Sequence, residues 1–373
     1  MMVGNTTHTC PRKHRQLTPA PSLTTQDTRR ALDFWIFPYL GGNWLQRVAV
    51  SQCYDFTAAC TDLNAVPPLF IMATEWADRP GGGRTMVWDY DTAFSRNLGL
   101  VTSEEQLRLR DSRVAIAGVG GVGGVHLTTL LRLGVGRFSI ADPDQFEVAN
   151  FNRQYGATMP ALGRQKVEVM AEIARSINPD VQLTVFSEGV SPENCERFLQ
   201  DADVVVDGID FFAIDARRLL FRKAREMGIP ALTSAPLGFS ATLHVFPPVG
   251  MTFDDYFDLH DDMSKDQQLL AFLVGLAPQG LHEPYFDFSR VSGSKQRGPS
   301  SGVACQLCSG LVAAEVLKIL LQRGPMAGAP RYYQFDAYQR RFASGTLWLG
   351  NRHPLQRLKR WLLRRRLGNR LQT

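Results

Sequence analysis

The chain has 373 residues, of which 44% are hydrophobic and 21% are charged. That apolar fraction suffices for one large or two modest domains and excludes a chain disordered throughout, because disordered chains have too little apolar surface to bury. The net charge is +5, but residues 351–373 hold eight Lys and Arg and no acid, so the remainder is net acidic. The basic character belongs to a tail and does not indicate a nucleic-acid-binding body.

The number of cysteines and the length of the apolar runs indicate in which cellular compartment to expect the chain. Six cysteines without regular spacing argue against a disulfide-rich secreted scaffold and favour a reducing environment. No run approaches the ~18 uninterrupted apolar residues of a membrane span. The N-terminus lacks the basic-then-apolar order of a signal peptide. We therefore expect a cytoplasmic protein.

The first 85 residues differ from the rest. Thr, Pro, Asn and Arg dominate residues 1–30, and Gly81–Gly83 break the chain just before Met86. We expect residues 1–85 to be a disordered or wrongly included leader, with Met86 as the true start. The alternative is a small functional N-terminal extension.

From Ser112 onward, strand and helix patterns alternate. β-rich apolar runs predict strands at 113–117, 138–141, 181–186, 202–206, 230–233 and 240–246. Apolar residues at helical spacing predict helices at 125–133, 165–177, 214–227 and 309–321. This alternation predicts an α/β fold, a Rossmann-like and mostly parallel sheet with helices on both faces. We interpret residues 86–345 as one domain with a crossover excursion at 247–304, and residues 346–373 as a basic amphipathic helical tail.

A glycine motif formed by Gly118, Gly120, Gly121 and Gly123 follows the first strand and opens a helix. Such a turn lets the backbone approach a phosphate or ribose, while the helix N-terminus supplies partial positive charge. Asp142 ends the second strand, where an acid accepts hydrogen bonds from ribose hydroxyls. Alone, these residues predict a nucleotide site of any Rossmann type, NAD(P) included, or glycines that serve only helix–sheet packing.

A polar cluster beyond the second strand narrows the choice of nucleotide. Its members are Asp144, Asn150, Asn152, Arg153, Gln154 and Lys166. Arg153 and Lys166 are thirteen residues apart across a short loop and can clamp a polyphosphate from two sides. A dehydrogenase holds its pyrophosphate mainly on the glycine loop and helix dipole. The cluster therefore favours a nucleoside triphosphate over NAD(P).

Two carboxylates, Asp207 and Asp210, follow the next predicted strand at the edge where open α/β sheets bind ligands. A carboxylate there can hold Mg²⁺, the partner of ATP phosphates in transfer reactions. We predict Asp210 as the metal ligand. For Asp207, a metal-binding and a structural role both stay open.

Together these motifs resemble the signature of the ubiquitin-activating-enzyme-like adenylating family, whose bacterial members are the ThiF, MoeB and HesA proteins. The resemblance covers residues 95 to about 323 and includes five separated elements in order. Family members use Mg-ATP to adenylate the C-terminal carboxylate of a small ubiquitin-like or sulfur-carrier protein. Site roles are implied for Gly121 and Asp142 at the ribose, for Asn150, Arg153 and Lys166 at the phosphates, and for Asp210 at Mg²⁺.

The resemblance also implies a homodimer. Arg96, within Phe94-Ser-Arg96-Asn97, matches the arginine that reaches into the partner subunit's ATP site. The expected reaction is in-line attack of a substrate carboxylate on the α-phosphate, with pyrophosphate neutralised by Arg153, Lys166, Arg96 and Mg²⁺. No general base is needed, because a carboxylate is already ionised at neutral pH.

Several functions stay open beside this one. Our first prediction is an adenylyltransferase that activates the carboxylate of a protein or peptide. The alternatives are an enzyme like the tRNA threonylcarbamoyladenosine dehydratases, an NAD(P)-dependent oxidoreductase and a catalytically weak binding module. The last is suggested by Phe211-Phe212, which stand where the family usually has Asn after Asp210.

The cysteines also depart from the family pattern. Cys305-Gln-Leu-Cys308 is a single pair, and zinc requires four ligands, so we expect no zinc site. No cysteine lies between Cys195 and Cys305, where many members form a thioester. If a thioester forms, Cys305 is the better candidate, because a helix N-terminus lowers thiol pKa. The favoured interpretation makes both residues packed core thiols.

Two segments suggest partners. Five acids at 254–262 interleave with aromatics and can dock a basic partner tail or form an ordinary solvated loop. The tail combines Leu355, Leu358, Trp361 and Leu362 with eight cations. It predicts contact with an anionic membrane surface or RNA, or a helix packed on the body.

Overall fold

A computed structural model of the chain describes residues 87–293 and 298–367. The predicted leader at 1–85 and the end of the tail at 368–373 lie outside the described residues. The expectations about the leader therefore stay predictions.

One sheet forms the centre of the described region. Its strands are β1 (Arg113–Ala117), β2 (Arg137–Ala141), β3 (Gln182–Phe186), β4 (Val204–Asp207), β5 (Ala231–Thr233), β6 (Pro236–Leu237), β7 (Ser240–Phe246), β8 (Arg331–Asp336) and β9 (Arg341–Thr346). The strand order is β3-β2-β1-β4-β5-β7-β8-β9, with β6 paired to β7. Strands β3 to β5 in that order are parallel, and β7, β8 and β9 continue the sheet antiparallel. The predicted Rossmann-like, mostly parallel sheet is confirmed.

Ten α-helices occur among the described residues. They are α1 (Tyr90–Phe94), α2 (Ser103–Asp111), α3 (Gly121–Arg132), α4 (Lys166–Ile177), α5 (Cys195–Leu199), α6 (Ile214–Glu226), α7 (Phe253–Phe257), α8 (Lys265–Leu276), α9 (Gly302–Leu320) and α10 (Pro354–Leu367). Short 3₁₀ helices lie at Ser95–Asn97, Val148–Asn150, Met159–Ala161, Phe288–Arg290 and Gly350–Arg352.

The last helix of the sheet layer, α9, begins seven residues earlier than the predicted start at Ser309. Ser301 explains the early start, because its hydroxyl accepts a hydrogen bond from the Ala304 amide at 3.2 Å and so caps the helix. Both Cys305 and Cys308 therefore lie inside the helix.

The sequence patterns did not predict strands β8 and β9. The buried positions of β8 are Tyr332, Gln334 and Asp336, so polar side chains occupy two inward positions of the strand. Strand β9 has no buried residue. Neither strand shows the apolar alternation by which a half-buried strand is recognised.

Hydrophobic side chains pack on both faces of the sheet, as predicted. In β1, Val114 and Ile116 join a core with α3, α4 and α9, while Ala115 and Ala117 join a second core with α5, α6, α7 and α8. This alternation follows from the two-residue period of a strand. Helices on both faces leave the carboxyl edge of the parallel strands as the open rim.

The excursion at 247–304 contributes α7, α8 and their aromatic side chains to the second core. Phe253, Tyr256 and Phe257 are buried there. Of its acids, Asp254 pairs with Arg218 and Arg222 at 2.9 and 2.6 Å. These pairings within the chain support the interpretation as an ordinary packed loop more than that of a dock for a basic partner.

Among the described residues, α9 is the one helix whose length and apolar composition would let it cross a membrane. Half of its most apolar window is buried in the fold. It packs against α3 and β7, and Ser309 donates a hydrogen bond to Thr129 of α3 at 2.9 Å. In this fold α9 serves as a core helix.

Candidate active site

The glycine turn lies at the centre of the carboxyl edge, between the ends of β2 and β4. The Gly118 amide donates to Ala141 O at 2.6 Å, and the Gly208 amide donates to Ala117 O at 2.7 Å. Gly118 has φ +84°, and a Cβ there would lie 2.2 Å from Gly208 O. A Cβ at Gly123 would lie 1.7 Å from Gly118 O. These two glycines therefore serve close backbone packing.

The other two glycines of the motif face polar side chains. A Cβ at Gly120 would lie 3.4 Å from the Gln154 amide nitrogen, and one at Gly121 would lie 3.3 Å from Cys305 Sγ and 3.7 Å from Arg153 Cγ. Gly120 is the N-cap of α3 and provides no side-chain cap. The first amides of α3 are therefore available to an anion, which the positive end of the helix dipole also attracts.

Asp142 holds the turn in place. Its Oδ2 accepts a hydrogen bond from the Val119 amide at 2.8 Å, and its Oδ1 accepts one from the Asp144 amide at 3.0 Å. Burial raises the pKa of the Asp142 carboxyl, and the charge of Lys166 opposes that shift. Asp142 thus shapes the loop; its predicted contact with a ribose stays a prediction.

Lys166 and Asp144 form an ion pair beside the turn. The Nζ–Oδ2 distance is 2.8 Å, and the lysine side chain is only 7% exposed. A bridge between Gln145 and Gln165 brings the start of α4 against the loop after β2, and the Lys166 amide donates to Asp144 O at 2.9 Å. Lys166 is therefore near the glycine turn, as predicted, but its charge is already compensated.

Arg153 lies along Gly121 and differs from Lys166 in having no acidic partner. Its Nη1 donates to Ala149 O at 3.0 Å and to Asn152 Oδ1 at 3.1 Å. Within 87–293 and 298–367, no carboxylate pairs with it, and its other two guanidinium nitrogens, Nε and Nη2, make no hydrogen bond. It is a half-buried cation beside Gly121, and no carboxylate of the described residues compensates its charge.

The neighbouring amides divide between structural and open roles. Asn150 Oδ1 accepts from the Glu147 amide at 2.9 Å and closes the loop. Asn152 Nδ2 donates to Ser300 O at 2.9 Å, which ties the loop to the N-terminus of α9. Gln154 is buried, and its Oε1 has no hydrogen-bond partner. A buried amide oxygen without a partner is costly, which is consistent with a ligand group beside it.

At the end of β4, the two aspartates have different environments. Asp207 is buried, and its Oδ2 accepts from Arg217 Nε and from Thr233 Oγ1, both at 2.7 Å. These contacts assign Asp207 the structural role. Asp210 is exposed; its Oδ1 accepts from the Phe212 amide at 2.9 Å, and its other carboxylate oxygen accepts nothing from the described residues.

Sequence reasoning missed Arg217. From α6 its guanidinium donates to the carbonyls of Ile209 and Asp210, and to Asp207, so it holds the whole loop that carries Asp210. The signal was present in the sequence, since Arg217 lies three residues after Ile214 and four before Phe221 on the apolar face of the helix. A cation at such a position requires a buried partner.

The thiols do not have the environment of a nucleophile. Burial raises the pKa of Cys305 to about 11, although the charge of Arg153 opposes that shift. Burial likewise raises the pKa of Cys308 to about 12. The expectation that the helix N-terminus lowers the Cys305 pKa is therefore wrong, because desolvation of the thiolate outweighs it. In the part of the chain that the structure describes, no cluster of three or more His, Cys, Asp or Glu could hold a metal.

Phe211 and Phe212, which follow Asp210, pack against each other with ring centroids 5.2 Å apart. Phe211 stacks on Phe272 of α8 with ring centroids 5.7 Å apart, and Phe212 is buried. The aromatic pair thus joins the Asp210 loop to the excursion.

Arg96 lies away from the glycine turn of its own chain. It is exposed, and its neighbour Asn97 donates from Nδ2 to Leu133 O at 3.2 Å, at the C-terminal end of α3. The turn is at the other end of that helix, about 18 Å away for twelve residues. The structure therefore does not bring Arg96 together with Arg153 and Lys166 within one chain.

Residues 94–356 match the model of the ThiF family. The chain is 30% identical over 256 residues to the sulfur carrier protein adenylyltransferase of Thermus thermophilus, an alignment that covers 68% of this chain and 86% of that protein. It is 31% identical over 148 residues to the tRNA threonylcarbamoyladenosine dehydratase of Haemophilus influenzae, covering 39% of this chain and 57% of that protein. The chain thus spans about half the length of the dehydratases it matches.

Two solved structures resemble the fold. PaaA superimposes with a TM-score of 0.53 at 18% identity, covering 72% of this chain and 77% of that one. Escherichia coli MccB with ATP superimposes with a TM-score of 0.51 at 17% identity, covering 72% of each chain. At these identities the likeness shows the fold alone.

Proposed function

This chain belongs to the ThiF family, and on that premise we propose that it is an ATP-dependent adenylyltransferase. It activates a substrate carboxylate as an acyl-adenylate and releases pyrophosphate. The observation that carries this proposal is the uncompensated Arg153 lying along Gly121, beside the free N-terminus of α3.

The residues around the turn fit ATP. Gly120 and Gly121 leave room where a Cβ would approach Gln154 and Cys305 to 3.4 and 3.3 Å, and the partnerless Gln154 Oε1 can accept from a ligand N–H or O–H. Arg153 and the first amides of α3 supply positive charge for phosphates. Asp210 retains a carboxylate oxygen that would hold Mg²⁺ together with phosphate oxygens.

The chemistry requires positioning and charge stabilisation more than proton transfer. The substrate carboxylate attacks the α-phosphorus in line, the bond to the bridging oxygen breaks, and pyrophosphate leaves. Arg153 stabilises the charge that develops on the leaving group. Lys166 joins it by exchanging its 2.8 Å contact with Asp144 for a phosphate oxygen.

For the substrate, we propose the C-terminal carboxylate of a small sulfur-carrier or ubiquitin-like protein, or of a peptide. The Thermus thermophilus sulfur carrier protein adenylyltransferase supports this, because most of its length aligns with this chain. The buried Cys305 thiol favours release of the acyl group to an external nucleophile over an enzyme thioester. A tRNA threonylcarbamoyladenosine dehydratase activity is the second candidate, favoured by the identity over 148 residues.

Exchange of labelled pyrophosphate into ATP tests the proposal. The full chain is assayed with a small carrier protein ending in Gly-Gly, with the same carrier amidated at its C-terminus, and with tRNA. Exchange that requires the free carboxylate supports adenylation of a protein. ATP turnover only with tRNA supports the dehydratase, NADH oxidation would indicate an oxidoreductase, and ATP binding without exchange would indicate a binding module.

We further propose a homodimer in which Arg96 acts on the partner's site. Its support is the exposure of Arg96 about one α3 length from its own turn. Arg96→Ala and Arg153→Ala should each abolish most exchange. A 1:1 mixture should recover about a quarter of wild-type activity, because half of the dimers are mixed and each mixed dimer has one intact site. No recovery on mixing, in a protein shown to exchange subunits, would contradict action in trans.

A further inference from the structure

The C-terminal helix α10 has one face fixed to the body. Gln356 is buried, and Arg360 pairs with Asp258 at 2.6 Å. Leu363 and Leu367 pack with Leu270 and Phe288. These contacts determine which side of the helix points outward.

The outward side of α10 is apolar. Leu355 is 61% exposed, Leu358 51%, Trp361 47% and Leu362 51%. Leu358 lies three residues after Leu355, and Trp361 and Leu362 lie three and four residues after Leu358. Spacings of three and four residues place all of them along one stripe of the helix. The described side chains leave about half of each of these four residues exposed, although large apolar residues are usually buried.

Cations border the stripe. Arg357 and Arg364 are exposed on one side of it, and the Arg365 guanidinium lies 3.6 Å from the centroid of the Trp361 ring. Residues 351–373 contain no acid. Long basic side chains can extend their charges to a lipid headgroup while their stems and neighbouring leucines contact acyl chains.

We propose that the outer face of α10 binds peripherally to an anionic lipid bilayer, with the Leu355–Leu362 stripe in the headgroup–acyl boundary. This is a binding function separate from the nucleotide site, and it does not depend on the proposed adenylation. The cations supply attraction to acidic headgroups, and the Trp361 ring suits the interface between water and hydrocarbon.

Two other occupants fit the surface less well. RNA offers phosphates to the arginines but no apolar counterpart for three exposed leucines, and its recognition uses aromatic stacking in the main. A second copy of this helix would bring Arg357, Arg364 and Arg365 against like charges. The combination of an aliphatic stripe with unopposed cations is typical of interfacial helices.

Sedimentation of the full chain with vesicles tests the proposal. We expect binding to phosphatidylcholine vesicles that contain 30% phosphatidylserine, and weak binding to pure phosphatidylcholine. The double variant Leu358→Ser/Leu362→Ser should partition at least about tenfold less, because it removes the inserted apolar groups. Arg357→Glu/Arg364→Glu should do the same, and raising the salt concentration should weaken wild-type binding.

Matched controls separate the helix from the rest of the surface. Phe342→Ser removes an exposed apolar side chain on β9, and Arg341→Glu reverses an exposed charge there. Both should bind vesicles as the wild type does, and all variants should keep the wild-type melting temperature. Equal binding to neutral and acidic vesicles, no binding to either, or binding only to RNA with the leucine variant unaffected would each overturn the proposal.

Discussion

Charged side chains are paired to different degrees in two regions of this molecule. Beside the glycine turn, Lys166 is paired with Asp144, but Arg153 has no carboxylate partner within the described residues and Asp210 has no cationic one. Between α6 and the excursion, Arg218 contacts both Asp254 and Asp261, at 2.9 and 2.7 Å. A charge that is left uncompensated can serve a ligand, whereas one that is neutralised within the chain holds elements together.

The buried pair of Arg217 and Asp207 shows that charges neutralised within the chain also occur close to the candidate site. It lies at the ligand edge of the sheet but has the character of the second region, since both side chains are almost fully buried and bonded to each other. It supports the loop of Asp210 without facing a ligand. Substitutions in the two regions should therefore affect different measurements.

The largest effect should come from the buried pair. Asp207→Asn leaves the Arg217 charge buried without its partner, so we expect the free energy of unfolding in urea to fall by about 3–5 kcal/mol. Asp261→Asn, at an exposed aspartate of the second region, should leave the unfolding curve nearly unchanged. A small loss for Asp207→Asn would mean that this pair contributes no more than a surface ion pair.

Arg153→Ala should have the next largest effect, and mainly on the reaction rate. Loss of a cation that stabilises the leaving pyrophosphate should lower the rate of ATP–pyrophosphate exchange by ~10²–10³-fold. The melting temperature should fall only slightly, because the variant loses two exposed hydrogen bonds of the loop and no ion pair. Arg164→Ala, in the same loop but paired with Glu172 on the surface, is the matched control. A near-wild-type exchange rate would remove Arg153 from the mechanism.

The parallel half of the sheet was predictable because its signals are local. Strands β1, β2 and β4 are mostly apolar runs of a few residues, and the glycines mark the turn that follows β1. The Arg153 and Lys166 cluster was predicted as a unit, and the structure places both residues beside that turn. That Lys166 is compensated by Asp144 could not be predicted, because spacing does not reveal which acid a lysine contacts.

The antiparallel half was harder, because its stability depends on pairings distant in sequence. β8 buries Gln334 and Asp336, and its sequence alone is typical of a loop. The strand is explained by its pairing with β7 and by the hydrogen bond that Tyr285 donates to Asp336. The acids of the excursion and the arginines of α6 are more than thirty residues apart and read as separate solvated charges. Long-range partners of this kind decide whether a polar residue is buried, and sequence patterns within one element do not contain them.

A smaller effect should follow from releasing α10. Arg360→Ala removes the 2.6 Å contact with Asp258 and a hydrogen bond to Asn351 O at 3.1 Å, so it should weaken docking of the helix by about 1.5–3 kcal/mol. Hydrogen exchange of the α10 amides should accelerate accordingly. Arg364→Ala, an exposed arginine of the same helix, should leave exchange of those amides unchanged. Pyrophosphate exchange should be normal in both variants, and loss of activity in Arg360→Ala would show that this region is coupled to the site.

The effect that is smallest at neutral pH concerns a buried side chain that has neither an ionic partner nor a hydrogen bond. His126 lies in α3, the helix that begins at the glycine turn, and neither ring nitrogen has a hydrogen-bond partner. Burial lowers its pKa to about 3, so the unfolded chain takes up a proton near pH 6.5 that the folded chain does not. The stability from the neutral ring is present above about pH 6.5 and is lost as the pH falls towards 3, at up to ~1.4 kcal/mol per pH unit.

His126→Leu removes this titration. The free energy of unfolding in urea, measured from about pH 7 to pH 4, should therefore fall less steeply in the variant, by up to ~1.4 kcal/mol per pH unit. Leu127→Ala, which changes another buried side chain of α3 but no titratable group, should keep the wild-type slope. Identical slopes for His126→Leu and the wild type would show that the ring is protonated in the folded state. The helix that begins at the glycine turn would then contain a buried charge without a partner. Uncompensated charge would no longer be limited to the side chains that can face a ligand.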